Sequence, residues 1–189
     1  ILSSMDKLVE KYKSITKYRT VTVEDVKLII QNCLYGIDIN LTALEVLKMT
    51  IALKLVTSGY IITEPFKHIL SNISQNFCLG NTIVDESAVL PFEELNDQIP
   101  TNIEVLFSDI IKNGGFTHIV TNPPYVEPKH FKKLWPETWK YLKKNYNLSD
   151  KLDLSMFFVK RFYSLLAENG RTGLIIQKRF FKTNYGAAI

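Results

Sequence analysis

The sequence predicts an α/β protein built on a mainly parallel sheet. Short apolar, β-prone runs alternate with stretches whose apolar residues recur at helical spacing, the pattern of strand and helix units. The polar residues suited to chemistry fall where two of these runs end, which is where open parallel sheets hold their ligands. Of the 189 residues, 46% are hydrophobic and 22% charged, enough to bury the core of one globular domain and too apolar for a disordered chain.

Between Ser3 and Lys17, residues Met5, Leu8, Val9, Tyr12 and Ile15 line one face of a helix with a lysine-rich outer face. Thr22 caps a second helix. Glu24 and Asp25 lie in its first turn, where the helix dipole favours acids, and Val26, Ile29 and Ile30 form its apolar stripe. Leu34 to Ile39 is a β-prone run, and Asn40 then caps a helix from about Leu41 to Ser58 that Gly59 stops. Residues 60–115 are less regular: a short strand at Phe77-Cys78-Leu79, a turn at Gly80-Asn81, and a helix ending at Asn113-Gly114-Gly115. Phe116 to Thr121 is a compact apolar strand that Pro123 and Pro124 bring to an end. Leu154 to Ala167 reads as an apolar helix closed by Asn169-Gly170, and Gly173 to Gln177 as a further, buried strand.

Several classes are set aside by composition. Cys33 and Cys78 lie far apart and share no spacing with the three histidines, so the reading is of reduced core thiols, with neither a disulfide framework nor a metal site. The most apolar stretch, Met49 to Val56, is interrupted by Lys54 and falls well short of the roughly 20 residues of a membrane span. With no signal peptide in view, the expected compartment is the cytoplasm. A net charge of +4 permits a polyanionic partner without demanding one.

Two strand ends carry candidate chemistry. Asp38 follows an apolar strand and precedes a helix, where a carboxylate can accept hydrogen bonds from the vicinal hydroxyls of a ribose; starting the helix is the alternative reading. Asn122 is pushed toward extended geometry by Pro123, and neither Pro123 nor Pro124 can donate to a sheet. The result is a rigid loop with acceptors to offer. The Asn122 side-chain oxygen and the Pro123 carbonyl can together accept both hydrogens of one amino group, and Tyr125 offers a flat face to an aromatic ring. Such a constellation suits a planar amide or an exocyclic amine.

The run Thr117-His118-Ile119-Val120-Thr121-Asn122-Pro123-Pro124-Tyr125-Val126 resembles the catalytic motif of the amino-methyltransferases, and Tyr35-Gly36-Ile37-Asp38-Ile39-Asn40 resembles their ribose-binding strand end. Asp153 to Phe158, Leu165 to Ile176 and Phe180 to Gly186 resemble the segments that follow that motif. From about Leu34 to Gly186 the order is most similar to the adenine-specific (N6) DNA methyltransferases of restriction-modification systems, whose methylase and nuclease can share one polypeptide. The resemblance implies a Rossmann-like fold that binds S-adenosylmethionine, with Asp38 and Ile39 at the ribose and Gly80 and Asn81 at the cofactor's adenine. It implies Asn122, Pro123, Pro124 and Tyr125 as catalytic residues, and double-stranded DNA with a flipped adenine as substrate. It also places the first strand and glycine-rich loop before Ile1, making residues 1–189 an internal fragment of the catalytic domain. Within it, residues 1–33 would be N-terminal helices, 34–126 the stretch from ribose site to catalytic loop, 127–152 a basic aromatic insertion and 153–189 a late helix and strand. A target-recognition domain, and any nuclease domain, would then lie outside these residues.

Adenine N6 is a poor nucleophile because its lone pair is delocalised into the ring. Acceptors at Asn122 and Pro123 favour its pyramidal form, the expected transition-state contact, without a metal or covalent nucleophile. The Tyr125 ring, rather than its hydroxyl, is expected to hold the flipped base. Between Glu127 and Lys151, lysines including Lys129, Lys132 and Lys133 are interleaved with aromatics including Trp135 and Trp139. Such a mixture is read either as a clamp for DNA phosphates or as a lysine-coated surface over core aromatics. Two other functions remain open at this level: glutamine-N5 methylation of a protein, which uses the same tetrapeptide, and a catalytically silent DNA-binding fragment.

Overall fold

A computed structural model describes residues 1–17, 20–58, 71, 74–148 and 153–178. Gly59, Lys151 and the Phe180 to Gly186 match lie outside the described residues. The chain divides into two compact units, Ile1–Gly80 and Asn81–Ile189.

In the first unit, α1 (Leu2–Ile15) and α2 (Val23–Cys33) precede β1 (Gly36–Asp38), α3 (Leu41–Thr57) and β2 (Phe77–Leu79). Helix α2 starts on a complete capping box: Thr22 Oγ1 accepts from Asp25 N at 3.2 Å, and Asp25 Oδ2 accepts from Thr22 N at 2.9 Å. The strand predicted over Leu34–Ile39 is shorter, because Leu34 is taken up by the end of α2. Its N–H donates to Ile30 O at 3.3 Å. Its carbonyl accepts from Asn76 Nδ2, which also donates to Gln31 O and so closes the helix from across the unit. Strands β1 and β2 are parallel, with Gly36 opposite Phe77 and Asp38 opposite Leu79. Asn40 Oδ1 accepts from Ala43 N at 3.1 Å, the expected cap of α3. The core is Met5, Val26, Ile30, Leu34, Leu44, Ile51, Ala52, Leu55 and Phe77, and the cysteines expected there lie outside it, Cys33 exposed at the end of α2 and Cys78 half-buried on β2.

The second unit contains α4 (Phe92–Gln98), two short helices α5 (Ile103–Leu106) and α6 (Ser108–Lys112), and β3 (Phe116–Thr121). It continues through α7 (Pro128–Leu134), α8 (Pro136–Tyr146), α9 (Leu154–Leu165) and β4 (Leu166–Leu174). Strands β3 and β4 are parallel, with Phe116 opposite Leu166, His118 opposite Arg171 and Thr121 opposite Leu174. The aromatics of α7 and α8 fill the core: Phe131 and Trp139 are buried with Leu142, Leu148, Met156 and Phe157, and the Trp139 and Phe157 rings meet edge to face at 5.5 Å.

Two expectations for the late segment are corrected. The helix stops at Leu165 because Leu166 already pairs with Phe116. The chain then turns at Asn169, in the left-handed region at φ 62°, before pairing again from Arg171. Gly115 makes this possible: at φ 103°, a Cβ there would stand 2.7 Å from Leu165 O. The strand is also not buried. Val120 is 75% and Ile175 65% exposed, since among the described residues that face of the β3–β4 pair is uncovered.

Candidate functional site

The Asn122-Pro123-Pro124-Tyr125 loop leaves the carboxyl end of β3, held at both ends and in the middle. At its entry, Ile175 N donates to Thr121 O at 3.2 Å, carrying the β3–β4 pairing one residue past β4. At its exit, Leu154 N donates to Val126 O at 3.2 Å, tying the loop to the start of α9. Asp153 caps that helix, its Oδ1 accepting from Ser155 N at 3.0 Å. Between these ties Pro123 is fully buried, while Asn122, Pro124 and Tyr125 are exposed. One buried proline therefore anchors a loop whose polar and aromatic side chains face solvent.

The Tyr125 hydroxyl has two partners, Asn122 Oδ1 at 3.1 Å and the backbone carbonyl of Ile175. Sequence reading gave this hydroxyl no role and could not find its second partner. Ile175 is 50 residues away and contributes a main-chain atom, so no side-chain pattern announces it.

Asp38 lies at the carboxyl end of β1. It is exposed, and its Oδ1 accepts from Asn40 N at 2.8 Å. Among the described residues Oδ2 has no partner, so the carboxylate both starts α3 and retains an oxygen suited to a ribose hydroxyl. Ile39 beside it is 43% exposed. The buried Gly80 donates its N–H to Asp38 O at 3.0 Å, which keeps the ends of β1 and β2 together.

Asn81 is placed differently from a ligand-facing residue. It is 7% exposed, and its Oδ1 accepts from Ile83 N at 3.0 Å and Val84 N at 3.3 Å. Its Nδ2 donates to Gln98 Oε1 at 3.3 Å. The side chain expected to meet the cofactor's adenine is spent on its own turn. The Asp38 carboxylate thus has the chemistry to accept from a ribose hydroxyl, whereas the Asn81 side chain is fully engaged within the protein.

In the basic stretch, Lys129 and Lys133 are exposed on α7. Lys132 Nζ lies 4.9 Å from the centre of the Trp139 ring. Trp135 is half-buried against the core, and its indole N–H donates to Asp97 Oδ2 at 2.9 Å. Its neighbours Phe131 and Trp139 are core residues, so the aromatics of this stretch pack inward.

A charged cluster that the sequence did not reveal joins the loop after Asn81 to α5 and α9. Arg161 makes two parallel bonds to Glu104, at 2.7 and 2.8 Å, and its Nε donates to Thr82 O at 3.2 Å. The Arg161 guanidinium lowers the pKa of the Glu104 carboxyl. Burial pushes the Asp85 carboxyl up, but hydrogen bonds involving Ser87 and Tyr141, with the Arg161 charge, outweigh it and leave the pKa lowered. Burial raises that of Tyr146, whose hydroxyl donates to Ile83 O at 2.9 Å.

The chain is 28% identical over 162 residues to the type II restriction enzyme and methyltransferase RM.Eco57I of Escherichia coli, an alignment covering 84% of the chain and 15% of that protein. It is 26% identical over 155 residues to the type II methyltransferase M.BstVI of Geobacillus stearothermophilus, covering 82% of the chain and 23% of that protein. The chain thus spans less than a quarter of the length of either relative. The sequence model of the Eco57I restriction-modification methylase matches residues 32–189, taking in both strand ends and the loop between β3 and α7, and the chain belongs to that family.

Proposed function

We propose that this chain is part of the catalytic domain, of Rossmann-like fold, of a DNA methyltransferase that transfers a methyl group from S-adenosylmethionine to adenine N6 within a restriction-modification system. The observation that carries the reading is the Asn122-Pro123-Pro124-Tyr125 loop at the carboxyl end of a parallel strand, with Pro123 buried and Asn122 and Tyr125 exposed. Family membership supports it over glutamine methylation of a protein, since the family is one of restriction-modification methylases and one relative is named a type II restriction enzyme and methyltransferase.

S-adenosylmethionine, when bound, supplies an electrophilic methyl group. Asp38 would accept from its ribose, Ile39 would pack beside it, and Gly80 would keep the strand end in place. Asn81 would contribute by building its turn. Asn122 would accept a hydrogen of the amine, the buried Pro123 would anchor the loop beneath it, Pro124 would stiffen it, and Tyr125 would stack on the base. Acceptors fixed before the reaction act most strongly when the nitrogen becomes pyramidal, so their effect falls on turnover. Adenine N6 is paired in a duplex, so the base must leave the stack to reach this loop. Lys129 and Lys133 are placed for phosphates, with Lys132 and Trp135 in supporting packing.

The test is methylation of a duplex by the whole protein, with the product nucleoside identified by mass. N6-methyladenine is the expected product. Methylated glutamine in a protein substrate, or no transfer to DNA at all, would overturn the reading.

A further inference from the structure

The Tyr125 hydroxyl carries one proton and stands within reach of two acceptor oxygens, Ile175 O and Asn122 Oδ1. A main-chain carbonyl can only accept, so the proton satisfies Ile175. The hydroxyl then faces Asn122 with lone pairs. An amide can meet a lone pair with its NH2 group, and the half-turn that brings Nδ2 into place of Oδ1 costs little, because the two ends are nearly the same size and the terminal torsion of asparagine is broad. Both Asn122 and Tyr125 are exposed, so that turn meets no packed wall.

We propose that the Tyr125 hydroxyl is a positioning group: bound to Ile175 O, it takes a hydrogen bond from Asn122 Nδ2 and thereby turns Asn122 Oδ1 toward the substrate amine. The end of β4 then sets the orientation of the acceptor on the β3 loop. This rests on the function proposed above for the amine. The relay itself, from Asn122 Nδ2 through Tyr125 Oη to Ile175 O, is a property of this chain alone.

Two measurements test it. In spectra of the isotope-labelled chain, the Asn122 side-chain NH2 signal is assigned by its loss in Asn122→Asp. Tyr125→Phe should shift that signal and raise its hydrogen exchange severalfold; an unmoved signal overturns the relay whether or not the protein methylates DNA. In the whole protein, Tyr125→Phe keeps the ring, so KM for DNA and for S-adenosylmethionine should stay within about twofold while kcat falls about tenfold. On the Asn122→Ala background the same substitution should cost nothing further, since the group it positions is gone. Parental kcat in Tyr125→Phe, or the same loss repeated on the Asn122→Ala background, would overturn the positioning role. A parental protein that does not methylate adenine would instead overturn the proposed function and leave the spectroscopic result standing.

Discussion

At the scale of single residues, the placement of the β3 loop was legible because it depends on residue types that are adjacent in sequence. Two prolines after an apolar strand dictate a rigid turn, and Asn122 and Tyr125 flank them. Asn81 was less legible. A polar residue in a turn is read equally well as a ligand contact or as the builder of the turn, and only its burial and its bonds to Ile83 and Val84 separate the two. On the function proposed, Asn122→Ala in the whole protein should lower kcat by about 10²- to 10³-fold with little change in cofactor affinity, because its acceptor would act chiefly on the pyramidal amine. Single-turnover methylation beside calorimetry with S-adenosylmethionine checks this. Tyr125→Ala should weaken binding of the flipped base by roughly 1–3 kcal/mol, the loss of a stacking face. A fluorescent base analogue at the target position reports it.

At the scale of elements, legibility follows sequence distance. The cap of α2 comes from Thr22 and Asp25 within three residues of each other, and the cap of α3 from Asn40, so both were read directly. The start of α8 could not be. Its first residues, Trp135 and Pro136, offer no side-chain cap. The acceptor is instead the buried carboxylate of Glu94 on α4, which takes Glu137 N at 3.1 Å and Thr138 N at 2.7 Å. Glu94→Ala leaves those donors without a partner in the interior and should cost about 1–3 kcal/mol, whereas Glu93→Ala on the exposed side should be nearly neutral. Urea unfolding of the three proteins compares them. The Glu104–Arg161 pair adds a pH dependence of known sign. A carboxyl whose folded pKa lies below its unfolded value contributes stability above the unfolded value, near 4.3, and loses it as pH falls through the folded value. Parental Tm should therefore fall more between pH 6 and pH 3 than that of Glu104→Gln, and equal falls would remove Glu104 from the account. Glu104 is 47% exposed in its side chain, so the difference should be small.

At the scale of the whole molecule, the alternation of strands and helices was legible, and among the described residues the strands form two parallel pairs, β1–β2 and β3–β4, each within its own compact unit. How far such pairs extend is set by main-chain partners distant in sequence, which periodicity does not report. The same limit applies to cofactor binding. On the function proposed above, Asp38 and Ile39 would meet a ribose at one strand end, yet the 189 residues contain no G-x-G turn of the kind that brings backbone N–H groups close to a ligand beside a helix start. Half of a binding site holds its ligand with far less than half of the free energy, because the cost of immobilising the ligand is borne by fewer contacts. The 189 residues alone should therefore bind S-adenosylmethionine at least about tenfold more weakly than the whole protein, a difference of roughly 1.4 kcal/mol or more, and should transfer no methyl group to DNA. In the whole protein, Asp38→Ala should weaken the cofactor by about tenfold, the loss of one hydrogen-bonded charged acceptor. Calorimetric titration of the chain, the whole protein and the whole-protein Asp38→Ala variant provides the comparison. Affinity unchanged by Asp38→Ala would remove Asp38 from the ribose site, and methylation of duplex DNA by the 189 residues alone would show that they already hold every group the reaction needs.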